Sequence, residues 1–335
     1  MDGPLWTETH APAIEDLPQE TVRERLQRAR EEPMNLFVHG PKGSGKTAAV
    51  RALATSIHDD VENDFVELNM ADFFDRTKTE IKNDPRFRSF LQGKSDLPKR
   101  EMISYVLKES ASYTPVGGSY KTILLDNAES MREDFQQSLR RVMEQYYEAT
   151  QFVIATRQPT SLIAPIRSRC FPIPVRAPDH EELVGVLERV VEAEGVEHDS
   201  EGLEYVAGYA DGDIRTAILS AQTTAEAEGE ITMNSAYEVL GDIEADDDVE
   251  AMLDAAEAGE FTDARSKLDD LLVDEGYSGA ELMEAILRAA RSRYTGPQLA
   301  RVHRLAGEID FDLVEGTNER LHLSHLLAAL PAETR

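Results

Sequence analysis

The sequence predicts an α/β nucleotide-binding domain on a parallel sheet, followed by helical domains, and three observations carry that prediction. The segment Gly40-Pro41-Lys42-Gly43-Ser44-Gly45-Lys46-Thr47 satisfies the phosphate-loop pattern GxxxxGK[ST] at every constrained position. Up to about Val175, short apolar runs alternate with helical patterns, as βαβ units require, which places helices on both faces of a parallel sheet. Beyond Val175 the composition changes to helices alone.

Each element follows in order. Leu5-Trp6-Thr7-Glu8-Thr9-His10-Ala11-Pro12 holds the only tryptophan and reads as an arm, not a helix, because prolines bracket it. Such an arm either lies across a nucleotide base or anchors the terminus through Trp6. Residues 21–31 form an amphipathic, charge-rich helix leading to the buried strand Leu36-Phe37-Val38-His39. After the loop comes the apolar helix 48–57, then the strand Phe65-Val66-Glu67-Leu68. Residues 105–110 have a helical pattern, and Thr122-Ile123-Leu124-Leu125 is a continuous apolar run ending in Asp126, with a helix beginning near Met131. Phe152-Val153-Ile154-Ala155-Thr156 and Phe171-Pro172-Ile173-Pro174-Val175 complete the strands. Asp179 caps a helix over 181–193, and Gly212-Asp213-Ile214-Arg215 turns into another. From about Ile243 leucine-rich helices run to Leu330 and carry no catalytic cluster. His322 and His325 share a face there without a further metal ligand, so they read as solvated side chains.

The chemistry gathers around the loop. Its glycines let backbone N–H groups point inward, Lys46 reaches the β- and γ-phosphates, and Thr47 places its hydroxyl on Mg²⁺. Asp126, at the C-terminal end of its strand, is placed to hold the same ion through water; as an alternative it caps the following helix. A glutamate directly after that aspartate commonly orients the attacking water, but the next residue is Asn127, whose amide cannot take a proton. Hydrolysis at this chain's own site is therefore expected to be slow or absent. Glu129 is the nearest substitute, though a helix start there turns its side chain elsewhere. Arg169 reads either as a cation reaching a neighbour's γ-phosphate or as a structural ion pair. Arg215, in the first turn of its helix, is placed to sense the chain's own nucleotide.

Composition frames the rest. In 335 residues there is room for two or three domains, each with its own core. No run of eighteen apolar residues and no leader at Met1 is present, so the expectation is a soluble, cytoplasmic protein with no membrane partner. The single cysteine, Cys170, excludes an internal disulfide framework and any cysteine-rich zinc site, and reads as a small buried residue. The net charge of −29 is spread along the chain, as a solvated acidic surface in a salt-adapted, halophilic host would have it. Between Phe73 and Lys121, Arg76, Lys78, Lys82, Arg86, Arg88, Lys94, Lys99, Arg100, Lys108 and Lys121 outnumber the acidic residues. That stretch is either a contact surface for a phosphate backbone or an ordinary solvated insertion.

Taken in order, these motifs resemble the small subunit of replication factor C, a clamp loader of the AAA+ ATPase class, through nearly the whole chain. The family's box Trp-x-Glu-Lys-Tyr-Arg-Pro is echoed by Trp6, Glu8 and Pro12, while Thr9, His10 and Ala11 depart from it. Its Asp-Glu-Ala-Asp stands here as Asp126-Asn127-Ala128-Glu129, and Leu139-Arg140-Arg141-Val142-Met143-Glu144 is similar to its following helix. Ser168-Arg169-Cys170 matches its Ser-Arg-Cys motif, whose arginine acts in trans, and Gly212-Asp213-Ile214-Arg215 matches its second sensor. Arg157 stands where the family places a first-sensor asparagine, and the segment between Met70 and Tyr120 is longer than standard.

The resemblance implies an AAA+ domain over 1–176, a helical lid over 177–240 and a helical collar for oligomerisation over 241–335. It implies ATP and Mg²⁺ as cofactors, other replication factor C subunits in an assembly of five, a sliding clamp, and primer-template DNA met through its backbone. Asn127 and Arg157 make the chain look like a divergent second small subunit from an archaeon, one that binds ATP and lends Arg169 to the adjacent site. A non-hydrolysing structural subunit and an AAA+ remodeller acting without a clamp are the alternatives. Initiators of the second kind usually append a winged helix, and the helices after Ile243 show no β-wing signal.

Overall fold

The computed structural model describes residues 4–83, 91, 97–113, 115–118, 120–240, 244–273, 277–315 and 318–330. Arg86, Arg88 and Lys94 of the basic stretch lie outside them. Five parallel strands, β1 (Leu36–His39), β2 (Phe65–Asn69), β3 (Lys121–Asp126), β4 (Thr150–Thr156) and β5 (Phe171–Pro174), form one sheet in the order β2-β3-β4-β1-β5. The register sets Leu36 beside Val153 and Phe171, and Ile123 beside Phe152. Strand β5 is an edge, which suits Pro172 and Pro174 because neither has an N–H for a further ladder.

Alternation along each strand splits the core in two. Phe37, Ile123, Leu125, Phe152 and Ile154 face one side and pack with helices Lys99–Ser112 and Glu133–Gln145. Leu36, Val38, Leu124, Val153 and Ala155 face the other, against helices Glu20–Glu31 and Lys46–Ile57. Both faces are thus covered, which is why these strands read as continuous apolar runs. Each of these side chains except Ala155, withdrawn from water, contributes roughly 1.5–3 kcal/mol.

The N-terminal expectation needs correcting. Trp6–Thr9 is one turn of helix, in which Leu5 O accepts from Glu8 N at 2.8 Å and from Thr9 N at 3.1 Å. Pro4 and Pro12 lie outside that turn, so they limit its length without preventing it. Trp6 is buried, and its backbone N–H donates to Gln222 Oε1 at 2.9 Å. The basic stretch also changes: Lys121 is buried at the start of β3, with its ammonium 5.7 Å from the centre of the Tyr113 ring, and is no surface contact. Burial pushes it down to about 8, against the pull of Asp64.

After β3 the chain makes a 3₁₀ turn at Ala128–Ser130, and the next helix begins at Glu133. Asp126 does not cap that helix, whose N-cap Arg132 makes no side-chain bond. The buried Gln136 fixes the helix instead, donating to Met131 O at 2.9 Å and Ser161 O at 3.0 Å while accepting from Ile163 N at 2.8 Å.

By compactness the chain divides into two units, Met1–Val239 and Leu240–Arg335. The first continues past the sheet into helices His180–Glu194, Ser200–Ala210, Ile214–Glu228 and Met233–Leu240. Asp179 and Glu182 cap the first of these reciprocally, and Asp199 and Asp213 cap the next two. The second unit holds helices Glu244–Glu257, Phe261–Val273, Gly279–Arg293, Gly296–Glu315 and Glu319–Ala329 around its own core, which includes Leu253, Leu268, Ile286 and Leu326.

Candidate nucleotide site

A cavity of about 460 Å³ opens at the C-terminal ends of the strands, wholly within the first unit, and is of a size to hold a nucleotide. Lys42 to Thr47, Asp126, Arg157 and Arg215 line it together with the apolar Pro12, Leu17, Pro18, Val186 and Ile218. Thr7 and His10 also line it, so the N-terminal segment both buries Trp6 and borders the cavity. His10 Nε2 pairs with Glu194.

The phosphate loop is built by close approach. A Cβ on Gly40 would stand 1.7 Å from Val175 O, so only glycine passes under the end of β5. Gly43 has φ +71°, and a Cβ there would meet the Asp213 carboxylate at 2.0 Å. Gly40 and Pro41 do not line the cavity; they shape the loop, with Pro41 O accepting from Ser44 Oγ at 2.9 Å and from Lys46 Nζ at 2.5 Å. Burial holds the Lys46 ammonium below the usual lysine range, while Asp126 and Glu129 pull it upward.

Thr47 and Asp126 come together as the sequence predicts: Thr47 Oγ1 donates to Asp126 Oδ2 at 2.7 Å. A hydroxyl and a carboxylate side by side at a helix N-terminus are hard oxygen ligands that fit Mg²⁺, which would take its remaining ligands from phosphate and water. Asn127 sits in the left-handed region at φ 51° and donates its amide to Asn69 Oδ1 at 3.1 Å. Asn69 also caps the helix Met70–Asp75, accepting from Ala71 N at 3.1 Å. The sequence reading ended this strand at Leu68 and did not single out Asn69, because its partnership with Asn127 joins two strand ends 58 positions apart.

Glu129 does not line the cavity itself; it is engaged at the end of β4. Its carboxylate accepts from Thr156 Oγ1 at 2.7 Å and from Arg157 Nε at 2.7 Å. Burial alone would raise the Glu129 carboxyl, and these hydrogen bonds outweigh it and hold it below the usual range. Arg215 is exposed on the second residue of helix Ile214–Glu228 and lines the cavity. Arg169 is not among the residues lining the chain's own cavity; it donates to Pro165 O and to Glu144 Oε1, each at 2.7 Å. Cys170 is packed against the sheet core, and burial pushes its thiol up to about 12, which leaves it unreactive.

The parallel sheet, the loop between β1 and its helix, and the carboxylate at the end of β3 define a phosphate-loop nucleotide-binding fold of the AAA+ class. The Thermotoga maritima RuvB Holliday junction branch migration motor shares it at TM-score 0.52, with 16% identity over 81% of this chain and 87% of that one. A point mutant of that protein aligns equally well. Sequence likeness goes further. The replication factor C small subunit of Staphylothermus marinus is 32% identical over 97% of this chain and 94% of its own length. That of Methanothermobacter thermautotrophicus is 32% identical over 98% and 97%, and that of Halobacterium salinarum 29% over 97% and 95%. The replication factor C C-terminal domain family matches residues 244–329, and the family described as DNA polymerase III, delta subunit, matches residues 14–179. The chain belongs to the replication factor C small subunit family.

Proposed function

We propose that this chain is an ATP-binding subunit of a clamp loader, an assembly of five similar chains that opens a sliding clamp and places it on primer-template DNA. The observation that carries the reading is the Thr47–Asp126 pair beneath an intact phosphate loop. Lys46, Thr47 and the loop N–H groups bind the phosphates, and Arg215 closes over them from the lid. Magnesium, held by Thr47 and Asp126, would neutralise charge between the phosphates. Asn127 orients water at best, so turnover at this site is slow. Arg169 lies outside its own cavity, in support of its serving the neighbour's nucleotide. The domains follow the boundaries 1–176, 177–240 and 241–335, the last joining the ring. DNA is met through its backbone, and the acidic surface suits a salt-rich cytoplasm. Among the described residues no helix is long and apolar enough to cross a membrane.

The test is ATP binding and steady-state hydrolysis in high salt, alone and mixed with a standard small subunit. Binding without turnover alone, and turnover in the mixture that falls at least about ten-fold in R169A, is the expected result. Vigorous turnover alone, indifferent to R169A, would sink it. The amide pair Asn69–Asn127 favours a second reading, a subunit that never hydrolyses; in that case N127E restores no activity.

A further inference from the structure

Two helices of the first unit, Ser200–Ala210 and Met233–Leu240, bring three tyrosines together apart from the nucleotide cavity, whose lining includes none of them. Tyr205 and Tyr209 stand one turn apart on the first helix, and Met233 and Tyr237 one turn apart on the second. The Tyr205 and Tyr237 rings meet edge to face with centres 6.1 Å apart, which joins the two rows into one patch. Burial raises the Tyr205 phenol, and the nearby phenols of Tyr237 and Tyr209 raise it further. Tyr209, Met233 and Tyr237 are nonetheless 41%, 40% and 59% exposed, so the chain's own core does not use this face. The charge around it has one sign. Neither helix carries a lysine or arginine, while Glu201, one turn before Tyr205, and Glu238, beside Tyr237, are exposed carboxylates. Aromatic faces attract guanidinium groups, and this chain already uses that contact: Arg25 and Arg28 lie 5.8 and 5.6 Å from the centre of the Phe171 ring. Among the described residues no cation stands over Tyr205, Tyr209 or Tyr237 in that way.

We propose that this face docks an arginine-bearing segment of a partner protein, with guanidinium groups stacked on Tyr209 and Tyr237 and paired with the flanking carboxylates. Met233, unbranched and polarisable, fits itself to the aliphatic stems of those arginines. The same carboxylates repel a phosphate backbone. The inference holds whether or not the cavity binds ATP.

The test is calorimetric titration of the full chain with a synthetic peptide of alternating arginine and alanine. It is run in about 0.5 M KCl, where a screening length of about 4 Å removes the general pull of the acidic surface. The wild type is expected to bind saturably, and Y209A/Y237A at least about ten-fold more weakly, with ATP binding unchanged. Y209F/Y237F keeps the ring faces and is expected to bind within about three-fold of wild type. E201Q/E238Q is expected to bind several-fold more weakly, and a matched lysine peptide to be several-fold weaker than the arginine one. A wild type that binds no peptide, or Y209A/Y237A binding as well as wild type, overturns the inference. An unchanged E201Q/E238Q affinity, or equal affinity for the two peptides, overturns the assignment to arginine. If Y209A/Y237A does not fold, Y237A decides: a loss of about three-fold or more supports the reading, and none overturns it. Duplex DNA binding, or self-association seen by sedimentation, that is present in wild type and lost in Y209A/Y237A overturns it in favour of that partner.

Discussion

Thr47 and Asp126 stand 79 positions apart in the chain and meet at hydrogen-bond distance, a meeting that was legible because motif and strand end place them side by side. D126A is expected to weaken Mg²⁺-dependent ATP binding at least about ten-fold while leaving the fold intact, as titration with and without the metal would show. Lys121 was not legible, since a lysine opening an apolar strand reads as a surface residue. Its burial has a signature in pH. The folded ammonium titrates near 8 and the unfolded one near 10.5, so between those values the unfolded chain binds more protons and stability rises with pH. The gain is on the order of 3 kcal/mol, and denaturation midpoints of K121M should lack that rise. The Arg157–Glu129 pair was legible only as two separate departures, because pairing across a strand end and a turn is a tertiary fact.

At the scale of elements, the strands were readable because both sheet faces are covered and the runs are unbroken. The N-terminal turn was not, because two prolines were given more reach than one helical turn needs them to have. The helix after β3 starts later than its apolar pattern implies, since Gln136 and the 3₁₀ turn set its beginning. Q136A should leave two carbonyls and one N–H without that amide and lower stability by roughly 1–3 kcal/mol, measured by denaturant unfolding. Loss of the reciprocal cap in D179A should lower it by about 1 kcal/mol.

For the molecule as a whole, the change to helices after Val175 holds except for a short parallel pairing of Glu197–His198 with Glu230–Ile231, too brief to leave a strand pattern in the sequence, while the compact division near residue 240 depends on which helices pack with the sheet unit. Because every residue lining the cavity lies before that division, a fragment of residues 1–239 is expected to bind ATP within about three-fold of the full chain, a difference under about 1 kcal/mol. The acidic surface repels itself, so the unfolding midpoint should rise between about 0.1 M and 2 M KCl as that repulsion is screened. One contact bears on motion. Ile214 N–H donates to Gly43 O at 3.0 Å, which joins helix Ile214–Glu228 directly to the phosphate loop. Any motion that separates this helix from the loop must part that bond, at a cost of about 1 kcal/mol.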